Sequence, residues 1–235
     1  MRSQCGRVAS SSTGCQDFRY ICESFLKTID TTPNILHRRG AVEVLRDSVN
    51  DKPRDKDDGI EYEVRYKLII DPSEDESLVR LLFTFGVLKR ENTRIYVCSD
   101  FPGDGEIQKI NTISNIRYST INGHTVVMTQ TDDIHESFYD LFNQHFRRID
   151  SNEGKPHYYT NIAIGPHLKP SRVHSKFQCL VVIKKSEVLH TPSPFLNRFE
   201  KYLVSYSSLI DTAFENMPPN MAIMLKNAIA KVSFY

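Results

Sequence analysis

The sequence has no excess of charge of either sign: 30 Lys and Arg stand against 29 Asp and Glu, a formal net charge of +1. That balance argues against general attraction to nucleic acid or to an anionic membrane, which a basic excess would give. Long hydrophobic runs are also missing. The stretch from Leu78 to Leu88 is interrupted by Arg80, and nothing approaches the ~20 apolar residues of a membrane span. The first residues, Met1-Arg2-Ser3-Gln4-Cys5, have no hydrophobic segment behind them, so no secretory signal is expected and the cytoplasm is the expected compartment. Cysteine is sparse and odd in number. Cys5, Cys15, Cys22, Cys98 and Cys179 form no CxxC pair, and no Cys/His set has the close repeated spacing of a zinc site. Cys98 and Cys179, each inside an apolar run, are expected to be small buried hydrophobes.

What is present divides into three zones. Residues 1–60 read as a variable helical segment and a linker. The run Ser10-Ser11-Ser12-Thr13-Gly14 is too polar to pack. Phe18, Ile21, Cys22, Phe25 and Ile29 have helical spacing, and a second helix is expected over Ala41 to Arg46. The charged stretch Asn50 to Gly59 cannot bury apolar surface and is expected to be a linker.

Residues 61–206 alternate strand and helix patterns, and 207–235 read as a partial C-terminal helical segment. Strands are predicted at Arg65–Ile70, Arg94–Cys98, His124–Thr129, Tyr158–Ile164, Phe177–Ile183 and Lys201–Ser205. A helix is expected after Ser73, with Glu76 at capping-box spacing and Leu78, Leu81, Leu82, Phe85 and Leu88 on one face. Asn122-Gly123 suits a tight turn between two strands, the first at Ile116–Thr120, after a short helix at Ile107–Ile113. A further helix should carry Ile134, Phe138, Leu141, Phe142 and His145, with Arg147-Arg148 at its negative end. Near the C-terminus, one helix is expected over Ser208–Glu215 and another over Met221–Val232. Uninterrupted apolar strands alternating with helices predict an α/β fold, a parallel sheet flanked by helices.

Thr93 to Leu203 carries a set of segments in a specific order: Ser99-Asp100-Phe101-Pro102, Ile134 through Gln144, Arg172-Val173-His174, Phe177 to Ile183, and Pro194 through Lys201. In order and spacing these resemble a segment of the mysterin-like giant AAA+ proteins that carry a RING-finger ubiquitin-ligase module. The resemblance covers somewhat under half the chain well and weakens back to Tyr66. It implies a degenerate, late AAA+ module: a P-loop-NTPase-like large subdomain with an incomplete helical lid. It further implies ATP and Mg in other modules and Zn in a RING elsewhere. The implied partners are neighbouring AAA+ modules of the same polypeptide, with a ubiquitin-conjugating enzyme and ubiquitin reached through other domains. The implied location is the cytosol, with lipid-droplet association.

An AAA+ module that holds ATP needs a GxxxxGK[ST] loop after its first strand, so that bare amides approach the phosphates and a Lys balances their charge. Here that position reads Asp71-Pro72-Ser73-Glu74-Asp75-Glu76-Ser77, with no glycine, no lysine and four carboxylates. Two like charges ~4 Å apart repel by about 4 kcal/mol at an effective dielectric of 20, whereas a helix N-terminus attracts an anion by at most ~2 kcal/mol. The expectation is that no cofactor binds here. After the third core strand, Asp132-Asp133 can cap the next helix, or Asp132 can reach a cation.

Arg198, in Leu196-Asn197-Arg198-Phe199-Glu200, lies in a stretch that resembles the AAA+ segment whose arginine reaches a neighbour's γ-phosphate, a task suited to a planar, permanently charged fork. The alternatives are a local pair with Glu200 or a helix cap. Lys184 and Lys185 are expected to be solvated. His167 and His174 lie in a mildly basic loop without metal-ligand spacing. No GxSxG elbow exists. The eleven tyrosines and thirteen phenylalanines follow core periodicity, so they read as packing.

Together these readings favour a non-nucleotide-binding AAA+-like scaffold or allosteric segment of an ATP-dependent ubiquitin-protein ligase, not catalytic alone. The alternatives are an independent nucleotide-binding ATPase module and a truncated protein-interaction module. Met221, Met224, Leu225 and Ala228 share one helical face, so the isolated chain is expected to self-associate.

Overall fold

The computed structural model describes residues 41–50, 54–56, 59–61, 65–73, 77–98, 105–150 and 156–206, with shorter stretches between 209 and 225. All lie in the second of the two units into which the chain divides, Gly40–Tyr235. The helix predicted at 18–29, the Glu76 end of the capping box, residues 99–104 and most of the C-terminal helices fall outside the described residues.

The described chain opens with α1 (Ala41–Asn50), whose Val42, Leu45 and Val49 recur at helical spacing and are buried. It is four residues longer than its predicted span. The expected linker is in part an antiparallel hairpin, β1 (Arg54–Lys56) with β2 (Gly59–Glu61). A ladder satisfies backbone N–H and C=O groups without needing apolar side chains, which reasoning from composition alone does not capture.

Next come β3 (Lys67–Asp71), α2 (Ser77–Thr84), β4 (Thr93–Val97), α3 (Glu106–Asn122) and β5 (Thr125–Thr129). The strand–turn–strand reading of Ile116–Thr129 is overturned, because residues 106–122 form one helix. Gly123 ends it in the left-handed region (φ 72°), where its N–H donates to the Ser119 carbonyl. Asn-Gly here is a helix C-cap, a role open to the same dipeptide because glycine alone adopts that backbone cheaply.

After β5, a 3₁₀ segment (Asp132–Phe138) leads into the single turn α4 (Tyr139–Phe142). Ile134, Phe138, Leu141 and Phe142 are buried as predicted, but His145 is exposed and lies past the helix. Arg147 and Arg148 belong to a strand, β6 (Arg147–Ile149), and do not complement a helix end. With β7 (His157–Ile164) and β8 (His167–Val173), β6 makes a three-stranded antiparallel sheet in the order β6-β7-β8. Gly165 (φ 56°) and Pro166 turn the chain between β7 and β8. Thus the basic loop predicted around His167 is a strand. Its outward side chains give it no apolar alternation to read.

Next in order are β9 (Gln178–Lys184), a 3₁₀ segment (Lys185–Leu189), α5 (Ser193–Leu196) and β10 (Glu200–Leu203). Strands β3, β4, β5, β9 and β10 form one parallel sheet in the order β10-β3-β9-β5-β4. The α/β prediction of a parallel sheet flanked by helices is met.

The sheet is buried on both faces because its central strands alternate two apolar sets. Cys179, Val181 and Ile183 of β9 join Leu68, Val126 and Met128 against α3, the 3₁₀ segment, β7, Phe195 and Phe199. Leu180 and Val182 join Ile69 and Val127 against α1 and α2. Each such side chain contributes about 1.5–3 kcal/mol on burial, so both layers are needed and neither can detach cheaply.

Candidate functional site

The chain leaves β3 for the far edge at β4, returns through β5 and β9 to lie beside β3, and then crosses to β3's other flank as β10. Connections from the adjacent strands β3 and β9 therefore run in opposite directions. In a parallel sheet the ligand crevice lies at such a switch point, outside the carboxyl ends of the strands.

Asp71, Thr129, Gln130, Ile183, Lys184 and Glu187 surround that position, and the cavity between them measures about 20 Å³. That is room for about one water molecule. Asp71 is the last residue of β3 and is buried (3% exposed). Its carboxylate accepts hydrogen bonds from the Ser73 N–H (2.9 Å) and the Ser73 hydroxyl. A local turn, in which an acid holds the backbone, thus occupies the place where a phosphate cradle would present free amides.

A second carboxylate closes the other side. Glu187 accepts from the Lys184 N–H at 3.0 Å, fixing the start of the 3₁₀ segment after β9. Lys184, expected to be solvated, is half-buried in the crevice wall, while Lys185 is exposed as predicted. At the end of β5 the crevice meets Thr129 and Gln130, the latter at φ 52°.

The two acids considered for metal work point elsewhere. Asp133 forms an ion pair with Lys109 at 2.6 Å, and that hydrogen bond raises the Lys109 pKa. Asp132 Oδ1 lies 3.5 Å from His135 Nδ1. Both acids sit in the first turn of the 3₁₀ segment, where they complement its N-terminus without a side-chain capping bond. No group of three or more His, Cys, Asp or Glu able to hold a metal occurs among the described residues.

Arg198 lies in the turn between α5 and β10, two residues before Glu200, whose register partner is Lys67 at the start of β3. Asp71 ends the same strand, so four steps of ~3.3 Å separate the two levels, about 13 Å. Arg198 is therefore at the opposite end of the strands from the crevice of its own module. Its guanidinium stacks over the Tyr139 ring at 4.4 Å, with Phe195 at 6.0 Å. It does not form the pair with Glu200 considered from sequence. The Glu200 carboxylate instead accepts from buried Lys67, from the Tyr202 hydroxyl and from the Ser48 hydroxyl at 3.1 Å.

Tyr139, read from sequence as packing like the other tyrosines, is 52% exposed and carries the Arg198 stack. Nothing in the sequence says that a residue 59 positions away would lie on it. The same holds for His135, which is 8% exposed, stacks on Phe195 at 4.6 Å and shares a 2.9 Å hydrogen bond with Thr131 Oγ1. Burial lowers its pKa to about 4. His174 packs against Gly123 and accepts the Lys176 N–H at 3.1 Å, and burial lowers its pKa. Cys179 is fully buried, and burial pushes its thiol pKa far up. Cys98, predicted inside a strand, lies one residue past β4 and is half-buried.

A five-stranded parallel sheet in this order, covered on both faces, with its crevice at the β3/β9 switch point, defines an AAA+-type α/β module. The family described as the RNF213 AAA domain matches residues 60–210, and the chain belongs to that family.

Among curated relatives, the chain is 29% identical over 199 residues to an uncharacterized transmembrane protein of Dictyostelium discoideum, covering 84% of this chain and 3% of that protein. It is 27% identical over 173 residues to the E3 ubiquitin-protein ligase RNF213 of Mus musculus, covering 72% of this chain and 3% of the relative. With the E3 ubiquitin-protein ligase RNF213 of Homo sapiens it shares 27% identity over 115 residues, 48% of this chain and 2% of the relative. The chain thus spans a few hundredths of the length of the relatives it matches. No helix among the described residues is long and apolar enough to cross a membrane.

Proposed function

We propose that the chain is a scaffold module of an RNF213-like ATP-dependent ubiquitin ligase that binds no nucleotide itself, with Arg198 serving an ATP site on an adjoining module. The observation that carries this reading is Asp71: a buried carboxylate, already hydrogen-bonded, beside a crevice with space for a single water. Seating a triphosphate there would bring a polyanion against an acid in a low-dielectric wall. Two unit charges ~4 Å apart repel by about 4 kcal/mol even at a dielectric of 20.

Supporting the second part is the place of Arg198, about 13 Å along the strands from its own crevice, with its guanidinium stacked over Tyr139 and away from that crevice. Ubiquitin transfer, and contact with a conjugating enzyme, belong in this reading to other parts of such a ligase.

Titration of the 235-residue chain with a fluorescent ATP analogue in millimolar Mg tests the first part. No saturable signal up to 1 mM is expected, and a Kd below about 100 μM would overturn it. For the second part, residues 60–210 can replace the matching segment of mouse RNF213, with Arg198 intact or changed to Ala. Arg198→Ala is expected to lower ATP turnover at least tenfold, a floor well under the roughly 10³–10⁵ that such arginines supply. Unchanged turnover would remove the role.

A further inference from the structure

The antiparallel sheet β6-β7-β8 packs only one face on the core. Tyr158, Thr160, Ile162, Ser171 and Val173 point inward and are buried. On the opposite face, the register aligns Arg147 of β6 with Tyr159 of β7, and Tyr159 with Arg172 of β8. Neighbouring strands lie ~4.8 Å apart, so the two arginine Cα atoms are about 10 Å apart with the tyrosine ring between them. Both arginines are exposed and Tyr159 is half-buried.

Beside this row lies a hollow of about 630 Å³, much larger than the switch-point crevice, whose walls include Phe146, Ile149, Tyr159 and Pro170. Ile149 is 47% exposed, so the hollow has an apolar wall open to solvent. Among the described residues one acid, Asp140, borders it, and its two oxygens are engaged by Asn161 Nδ2 (3.3 Å) and His145 Nδ1 (3.4 Å). The face therefore offers two cations around an apolar centre, with the carboxylate of Asp140 already partnered.

We propose that this face docks an extended acidic segment of a partner polypeptide, of the pattern acid–x–apolar–x–acid. In an extended chain, alternate side chains share a face, and positions four apart are separated by about 13 Å. The central apolar side chain then rests on Tyr159 and Ile149, while the flanking carboxylates meet Arg147 and Arg172. A guanidinium fork favours a carboxylate through paired, charge-assisted hydrogen bonds. A polyanion without an apolar centre would leave the hollow unfilled. The site shares no residue with the switch-point crevice, so it does not depend on the exclusion of nucleotide proposed there.

Fluorescence anisotropy on the full 235-residue chain tests it, with a labelled peptide Gly-Glu-Ser-Leu-Ser-Glu-Gly. The controls are Gly-Gln-Ser-Leu-Ser-Gln-Gly and Gly-Glu-Ser-Gly-Ser-Glu-Gly. The acidic leucine peptide is expected to bind at least tenfold more tightly than either control, and to weaken at least tenfold with Arg147→Glu and with Arg172→Glu. Both arginines are exposed and outside the core, and far-UV circular dichroism of each variant checks the fold. Tyr159→Ser should weaken the leucine peptide while leaving the glycine peptide unchanged. Equal binding of all three peptides, competition by polyphosphate as effective as by the leucine peptide, no binding at 1 mM, or indifference to both charge reversals would each overturn the proposal.

Discussion

The ammonium of Lys67, 1% exposed, is held by the carboxylate of Glu200, joining the first residue of β3 to the first residue of β10. The hydroxyls of Ser48 in α1 and Tyr202 in β10 donate to the same carboxylate. One acid thereby ties a helix to two strands at the strand ends opposite the crevice. Burial alone would raise the Glu200 pKa, but the hydrogen bonds from Lys67 and Tyr202 and the charge of Lys67 outweigh it, and the net shift is downward.

Removing the acid strands a buried cation. Glu200→Ala is expected to cost about 2–3 kcal/mol, below the 3–5 of a wholly buried pair because Glu200 is itself half exposed. Replacing both partners, Lys67→Met with Glu200→Leu, should recover most of that loss. Urea denaturation of the three variants measures the difference. A single-variant loss under 0.5 kcal/mol would show that solvent reaches Lys67.

His135 should govern stability in mild acid. Burial lowers its pKa from 6.5 to about 4, and exposed Asp132 at 3.5 Å does not offset that. The unfolded chain therefore takes up a proton that the folded chain refuses. Stability is complete above pH 6.5, falls between pH 6.5 and about 4, and loses about 3 kcal/mol across that window. The Glu200 contribution is present above its ordinary pKa near 4.5 and is lost only as pH falls through its lowered value. His135→Phe should flatten the upper limb and leave the lower one, as read by urea midpoints from pH 7.5 to 3.5.

Gly123→Ala adds a methyl group at φ 72° against the His174 ring. Left-handed strain alone is about 1–3 kcal/mol, and the ring cannot move without losing the Lys176 N–H bond. A drop in thermal midpoint of several degrees is expected. By contrast Gly86→Ala, also left-handed but with open space around the added carbon, should show the strain cost alone.

Met221, Ile223, Met224 and Leu225 are each at least 42% exposed. So much uncovered apolar surface on one short stretch is expected to drive self-association of the isolated chain. Sedimentation velocity at 5–50 μM should show species heavier than 27.1 kDa. Met221→Glu with Met224→Glu should shift the distribution toward monomer.

By itself the sequence determined the buried parallel strands and the acid-rich turn that follows β3. Runs such as Gln178–Lys184 have no polar interruption that a solvated face would require, and an acid-rich turn without glycine is legible at any stage. Tertiary structure alone decided the rest. The Asn122-Gly123 pair suits a hairpin and a helix cap equally, and packing of Ile113 and Ile116 against the sheet selects the helix. Of the antiparallel sheet around Arg147 and Arg172, the strand at Tyr158–Ile164 was legible, but β6 and β8 escaped because neither carries a regular apolar–polar alternation and their pairing lies in the backbone. Likewise the stacking of Arg198 on Tyr139, and the pairing of Lys67 with Glu200, join residues 59 and 133 positions apart. Such contacts arise only when burying both faces of the sheet fixes where each chain segment must return, and no local pattern encodes that.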